Sequence, residues 1–306
     1  MKTCTIPGAS DAVSLDLVVT RPANEPKAIL QMVHGMAEHK ERYIQMMEYL
    51  SEQGLVCVMN DLRGHGKTAA SPDDLGFMDK GGWKGMVADI ACVTAWIKEQ
   101  YPGLPVYLFG HSMGSLIVRS YCKEHDRDIA GLIVCGSPSA QPAIGVARLL
   151  AWCVKLFKGS RFRSPLLTKL STGAYNRKFR REGSPNAWIC SDPAVVTAYD
   201  NDPLCGFPFT ANGYQGLFGL MQDVYSPDGW RMGQPSLPIR FIAGADDPCI
   251  GNIRKFSAAV SFMRKRGYTR VSSRVFPNMR HEIHNEKGKE AVWDEIANTV
   301  QAWMTK

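Results

Sequence analysis

Ser112 stands between two glycines, in Gly110-His111-Ser112-Met113-Gly114, where the apolar run "VYLFG" gives way to a helix-like run. Glycine on both sides of a small polar residue is costly inside a strand or a helix. The pattern therefore reads as a sharp strand-to-helix turn that lifts the Ser112 hydroxyl clear of the chain. That hydroxyl becomes a nucleophile only with a base beside it and an acid to orient the base. Of the seven histidines, His281 is the candidate base, in "PNMRHEIHNE" between the last predicted strand and the last predicted helix. His111 adjoins the turn with its side chain aimed elsewhere, and reads as structural. His125 reads as solvated at a charged helix end. The acid is expected just after the preceding strand, where "FIAGADDPCIG" supplies Asp246 and Asp247. Asp247, three residues past Gly244, is preferred, with Asp246 as the alternative. The oxyanion of such a reaction needs two backbone donors. The Met113 N–H, at a helix start, is one candidate. The Met36 N–H, in "QMVHGMAEH" where Gly35 lets the chain turn, is the other.

The elements around these residues alternate. Strands are predicted over 13–20, 28–33, 55–60, 106–110, 129–136, 237–244 and 270–277, and helices over 42–54, 83–101, 113–125, 253–267 and 289–304. Buried apolar strands alternating with helices imply a mostly parallel central sheet flanked by helices on both faces. The rhythm breaks between about 137 and 233, which is helix-like, rich in Trp, Phe, Arg and Pro, and without a clear strand. The expected organisation is a core in two pieces, 1–136 and 234–306, with a helical cap insertion at 137–233.

These blocks resemble the α/β-hydrolase superfamily, in its monoacylglycerol lipase and lysophospholipase-like branch, the group also labelled serine aminopeptidase S33. "HGMAEHKERY", "DLRGHGKT", "GHSMGS", "GADDPCIG" and "RHEIHNE" are similar to that branch's motifs and stand in its order, from about residue 10 to the C-terminus. The resemblance implies the α/β-hydrolase fold. It also implies Ser112 as nucleophile, Asp247 as acid, His281 as base, and Met36 and Met113 as oxyanion donors. Asp246-Asp247-Pro248 departs from the commoner single aspartate. An aspartate at 112 would instead suit haloalkane or epoxide hydrolysis.

Two motifs are decoys. "GHGKT" at 64–68 is not a phosphate loop, because position 61 is Asp61 rather than glycine. The resemblance instead makes Asp61, Arg63 and His65 a structural loop network near the rim of the site. "HEIHNE" is not a zinc motif, because position 285 is Asn285, and His284 is expected at the surface. No metal and no cofactor are implied.

The net charge is +7 over 306 residues, yet between Arg148 and Arg181 there are ten Lys/Arg and no Asp/Glu. The remainder of the chain is therefore net acidic. No nucleic-acid-binding module is visible, and nucleic acid is not an expected partner. The basic run, densest in "NRKFRR" at 176–181, is a candidate for peripheral contact with an anionic lipid surface, or else a solvated face. Trp152, Phe157, Phe162, Tyr175, Phe179, Trp188, Tyr199, Phe207 and Phe209 either line an acyl pocket or pack the cap. Nine cysteines without C-x-x-C spacing read as free thiols in a reducing cytoplasm. No apolar run has transmembrane length and no signal peptide is expected.

The expected activity is hydrolysis of a single-chain acyl ester, such as monoacylglycerol or lysophospholipid, through an acyl-enzyme on Ser112. An aminopeptidase-type reaction needs cap carboxylates to hold an ammonium. The acid-free stretch at 141–181 argues against it and leaves only Glu182, Asp192 and Asp200 as candidates. A ligand-binding homologue without catalysis is the third alternative, disfavoured because all three triad residue types are present.

Overall fold

The structure, a computed structural model, describes residues 1–10 and 13–305. Strands β1 (Lys2–Pro7) and β2 (Ser14–Thr20) form an antiparallel pair in register Lys2↔Val19 to Pro7↔Ser14. β3 (Ala28–Val33), helix α1 (Ile44–Glu52), β4 (Leu55–Asn60) and α2 (Gly82–Gln100) follow. Then come β5 (Val106–His111), α3 (Met113–His125) and β6 (Gly131–Cys135). Four helices fill the segment after β6: α4 (Ile144–Lys158), α5 (Pro165–Ser171), α6 (Pro193–Asn201) and α7 (Ala211–Val224). The chain closes with β7 (Ile239–Gly244), α8 (Ile253–Lys265), β8 (Val271–Phe276) and α9 (Glu290–Met304).

The eight strands form one sheet in the order β1-β2-β4-β3-β5-β6-β7-β8, parallel from β4 through β8. Every residue of β3, β4, β5 and β6 is buried. That is why these strands appear as unbroken apolar runs, since helices cover both faces. β1 was not among the predicted strands. Only Ile6 of its six residues is buried, so an edge strand of this kind leaves little hydrophobic signal.

Two hydrophobic layers flank the sheet. Ile29, Val56, Leu108 and Leu132 point to one side, toward α2 and α3, while Leu30, Cys57, Phe109 and Ile133 point to the other, toward α1 and α9. The helices between β6 and β7 are of two kinds. α7 packs on α2, α3 and α4 and buries Tyr214, Leu217, Phe218 and Leu220 in the first layer. α4 instead leaves Val146, Leu149, Trp152, Leu156 and Phe157 exposed, Phe157 at 79%. All nine cysteines are free thiols, Cys57 and Cys135 buried and Cys92 half-buried. Among the described residues no helix is long and apolar enough to cross a membrane.

Candidate active site

Ser112 lies between β5 and α3 with φ 53° and ψ −119°. A non-glycine residue held there stores about 1–3 kcal/mol of strain, which persists only when the surroundings enforce it. The flanking glycines answer a packing demand. A Cβ on Gly110 would stand 2.5 Å from the Gly114 carbonyl oxygen, and one on Gly114 would stand 2.3 Å from that of Val33. The bend itself is held by the Ser112 N–H donating to the Cys135 carbonyl at 2.9 Å. Register explains the rest. Val33 pairs with Gly110 and His111 with Cys135, so the loops after β3, β5 and β6 leave the sheet side by side. This carboxyl edge is where open α/β sheets place their ligands.

The loop after β7 carries Asp247, which is buried, and the loop after β8 carries His281, also buried. His281 Nδ1 lies 3.0 Å from Asp247 Oδ2, and Asp247 Oδ1 accepts from the Cys249 N–H at 2.7 Å. Asp246 is exposed, its backbone N–H donating to the Met279 carbonyl at 2.9 Å. The structure thus brings Asp247 and not Asp246 to His281. Burial alone depresses the imidazole pKa, but Asp247, by charge and hydrogen bond, outweighs it, with help from Glu282 and Glu38. The net effect holds the His281 pKa above its ordinary value. With Nδ1 committed to Asp247, Nε2 is the ring nitrogen left without that partner. Cys249 also borders the site, but burial first, and then Asp247, push its thiol well up against the opposing hydrogen bonds of Tyr175 and Ser112. It is therefore a thiol, not a competing thiolate.

Met36 and Met113 both line the cavity that contains Ser112 and His281. Met113 is the first residue of α3, where the N–H has no intrahelical acceptor. The 34–39 loop is pressed against the serine, for a Cβ on Gly35 would lie 3.0 Å from that of Ser112. His34 fixes the loop from below, Nδ1 donating to the Gly35 carbonyl at 2.9 Å and Nε2 accepting from the Leu62 N–H at 2.9 Å. That pairing needs a neutral ring, and burial lowers the His34 pKa to about 4.

A buried network beneath the site escaped the sequence reading. Glu38 Oε1 accepts from the Gly35 N–H at 2.6 Å and from the Tyr43 hydroxyl at 2.9 Å, and lies 3.2 Å from His111 Nδ1. His111 Nε2 in turn lies 3.2 Å from the His281 carbonyl oxygen, so His111 has a supporting position. Arg42 joins Glu38 Oε2 at 2.9 Å to both oxygens of Glu282 at 2.6 Å. Burial opposes ionisation of Glu38, yet His111 and Arg42 overcome it and hold the carboxyl pKa well down. The only sequence sign was an acid in the block "HGMAEHKERY", and nothing local showed that it is buried.

His284 corrects an expectation. It is 1% exposed, not a surface residue, and stacks on Tyr43 at 4.5 Å and 16°. Neither ring nitrogen has a hydrogen-bond partner among the described residues, and burial holds its pKa well below the ordinary value. It behaves as a neutral core ring. His125 is half-buried, 3.1 Å from Asp128, and stacks on Tyr121. Asp61 accepts from the Lys40 and Lys67 N–H groups at 2.9 and 2.8 Å and from Lys40 Nζ at 2.6 Å. Arg63 grips Asp89 with two bonds of 2.7 Å. His65 packs on Phe207 and Phe209 at the cavity edge. His39, near Asp202 and Cys205, is taken up by hydrogen bonds to Glu41 and Asp202, each 2.8 Å.

The cavity has a volume of about 790 Å³. Its wall is largely apolar, with Met36, Ile144, Leu217, Phe218 and Met221. Of the nine candidate aromatics, Tyr175, Trp188, Tyr199 and Phe207 line it. Phe209 is in the core, and Trp152, Phe157 and Phe162 are exposed.

Residues 24–288 match the family model described as serine aminopeptidase, S33. A monoacylglycerol lipase from Mycolicibacterium smegmatis is 24% identical over 283 residues, covering 92% of this chain and 91% of its own. A phospholipase of Bacillus subtilis is 26% identical over 278 residues, covering 90% of this chain and 95% of its own. The crystal structure of a thermostable carboxyl esterase from Bacillus coagulans, in complex with glycerol, superposes with a TM-score of 0.92 at 28% identity and covers 99% of this chain and 98% of its own. The match spans both halves of the sheet and every loop just described, and the chain belongs to the serine aminopeptidase S33 family of the α/β-hydrolase superfamily, in its monoacylglycerol lipase-like branch.

Proposed function

We propose that this carboxylester hydrolase cleaves single-chain acyl esters, of the monoacylglycerol or lysophospholipid kind, through an acyl-enzyme on Ser112. Ser112 Oγ attacks the ester carbonyl as His281 Nε2 takes its proton. Asp247 holds the ring in the tautomer with Nδ1–H and steadies the imidazolium. The Met36 and Met113 N–H groups receive the oxyanion. His281 then protonates the departing alkoxide, and a water activated by the same nitrogen releases the acid.

The observation that carries this reading is the charge of the cavity wall. Its carboxylates among the described residues are Glu38 and Glu282, and Arg42 pairs with both. An aminopeptidase needs a carboxylate free to hold a substrate ammonium. Glu182 is instead bound to Arg280 at 2.7 and 2.8 Å, Asp192 caps α6, and Asp200 accepts from Ser184 and Asn186. The apolar wall suits an acyl chain, and the matched M. smegmatis lipase and B. subtilis phospholipase have names of the same chemical class. A panel of monoacylglycerols, lysophospholipids, short p-nitrophenyl esters and aminoacyl anilides tests it. Ester turnover without anilide turnover is expected, and preferential anilide cleavage would overturn the assignment.

We further place the covering part of the insertion at α4–α6, and a lipid-surface contact on its outer face. Leu149, Leu156 and Phe157 are exposed on α4, and Arg177, Lys178, Arg180 and Arg181 are exposed nearby in sequence. Exposed apolar side chains together with exposed cations are the composition of an interfacial contact. Each cation near an anionic surface contributes about 1 kcal/mol. Reversing those four cations to Glu is therefore expected to lower activity on anionic vesicles at least ~10-fold at low salt, with the rate on a short soluble ester unchanged. Added salt should narrow the gap. Equal vesicle rates at low salt would remove the contact.

A further inference from the structure

The loop that carries His281 is fastened to the insertion. The Glu282 N–H donates to the Ile189 carbonyl at 2.7 Å. Arg280 Nη1 donates to the Ala187 and Cys190 carbonyls at 2.6 and 3.1 Å, and its guanidinium lies 4.0 Å from the centre of the Phe179 ring. Glu286 Oε1 accepts from both the Arg280 and Ser191 N–H groups, at 2.8 and 2.9 Å. These bonds clamp the 187–191 segment over residues 280–286. They place the Trp188 ring against the His281 imidazole, centroids 5.0 Å apart and planes 37° from parallel, with Tyr175 behind it at 5.0 Å.

We propose that Trp188 is a positioning residue that acts through His281, its indole face stabilising the imidazolium that His281 becomes while it holds the Ser112 proton. The inference rests on the reading of His281 as the base. Indole is the best aromatic partner for a cation, and the attraction grows when water is excluded. His281 is 3% exposed. Its charge appears only as the reaction proceeds, so this attraction favours the transition state over the ground state. The carboxylates act on the imidazolium through its Nδ1 edge or at longer range, and leave the ring face to its aromatic neighbours. Asp247 occupies the Nδ1 edge, Glu38 and Glu282 are paired with Arg42, Cys249 is a protonated thiol, and the rings of His111 and His284 carry no negative charge.

The test is the pH dependence of kcat/KM on an acetate ester, whose short acyl group makes little use of the cavity wall, for wild type, Trp188→Phe and Trp188→Leu. Without the indole face the imidazolium is less favoured, so the acid limb moves to lower pH. A displacement of about half a unit to one unit is expected for Trp188→Leu, with a kcat loss of roughly 3- to 10-fold and little change in KM. Trp188→Phe is expected to fall between it and wild type, and decides the matter should the leucine variant not fold. An unmoved acid limb, with any loss confined to KM, would overturn the proposal and make Trp188 part of the cavity wall only. Fluorophosphonate labelling of His281→Ala separates the two readings. Labelling at the wild-type rate would overturn the base assignment itself, whereas slow labelling together with an unmoved limb in the Trp188 variants would overturn only the role of Trp188.

Discussion

Ser112→Ala is expected to hydrolyse esters at least ~10³-fold more slowly than wild type while melting within a few degrees of it. The two halves of this expectation come from different atoms. The bend at 112 is held through the main chain, with its N–H on the Cys135 carbonyl and its own carbonyl accepting from the Ser115 N–H at 3.0 Å and the Ser115 hydroxyl at 2.5 Å. Alanine keeps all three bonds and meets the same strain at φ 53° as serine does. Only the hydroxyl is lost, and with it the covalent route. A fluorophosphonate should label wild type at Ser112 and leave the variant unlabelled. Labelling at another serine, or a variant that retains a tenth of wild-type turnover, would move the nucleophile elsewhere.

What the sequence made legible follows burial by local pattern. β3 to β6 are enclosed on both faces, and so they stand out as apolar runs with helices between them. The Ser112 turn is legible for a related reason, since two glycines in three spaces around a serine have few other uses at a strand end. The distance of Asp247 from Gly244 favours it over Asp246, and the geometry has a simple cause: the Asp246 N–H is spent on Met279 and its side chain faces solvent. Glu38, Arg42 and His284 could not be assigned in that way. Each has a partner far off in sequence that no local pattern reveals, His111 for Glu38, Glu282 for Arg42 and Tyr43 for His284. In its own neighbourhood each looks like a polar residue in a polar loop. Burial there is decided by which loops the sheet order brings together at the carboxyl ends of β3, β5 and β8, and no local periodicity carries that information. The same limit applies to the insertion. Its aromatics carry no local sign of the direction they face: α4 turns Trp152 and Phe157 outward while the segment around Trp188 turns inward. α7, amphipathic like α4, is drawn into the main core by α2 and α3.

Asp247→Asn is expected to lower kcat/KM by about 10²- to 10⁴-fold, and Asp246→Asn by no more than about twofold. Asparagine at 247 keeps the size of the side chain and an oxygen for the Cys249 N–H, so the loop after β7 has no reason to move. What changes is the partner of His281 Nδ1. A carboxylate accepts there and enforces the tautomer that leaves Nε2 free to take the Ser112 proton. An amide presents its NH₂ group equally well, and so permits the opposite tautomer, in which Nε2 carries a hydrogen and cannot act as base. The pH profile gives a second reading of the same bond. Asp247 is the chief group holding the His281 pKa above its ordinary 6.5 against burial. The proposed mechanism requires the neutral ring, so wild-type activity should fall as pH drops through a value above 6.5. Without the carboxylate, burial dominates, the pKa falls, and the residual activity of Asp247→Asn should persist to lower pH than that of wild type. A merely structural aspartate would depress the plateau without displacing the limb. Equal losses for the two substitutions, or an acid limb unmoved in Asp247→Asn, would remove Asp247 from the triad despite its 3.0 Å contact with His281.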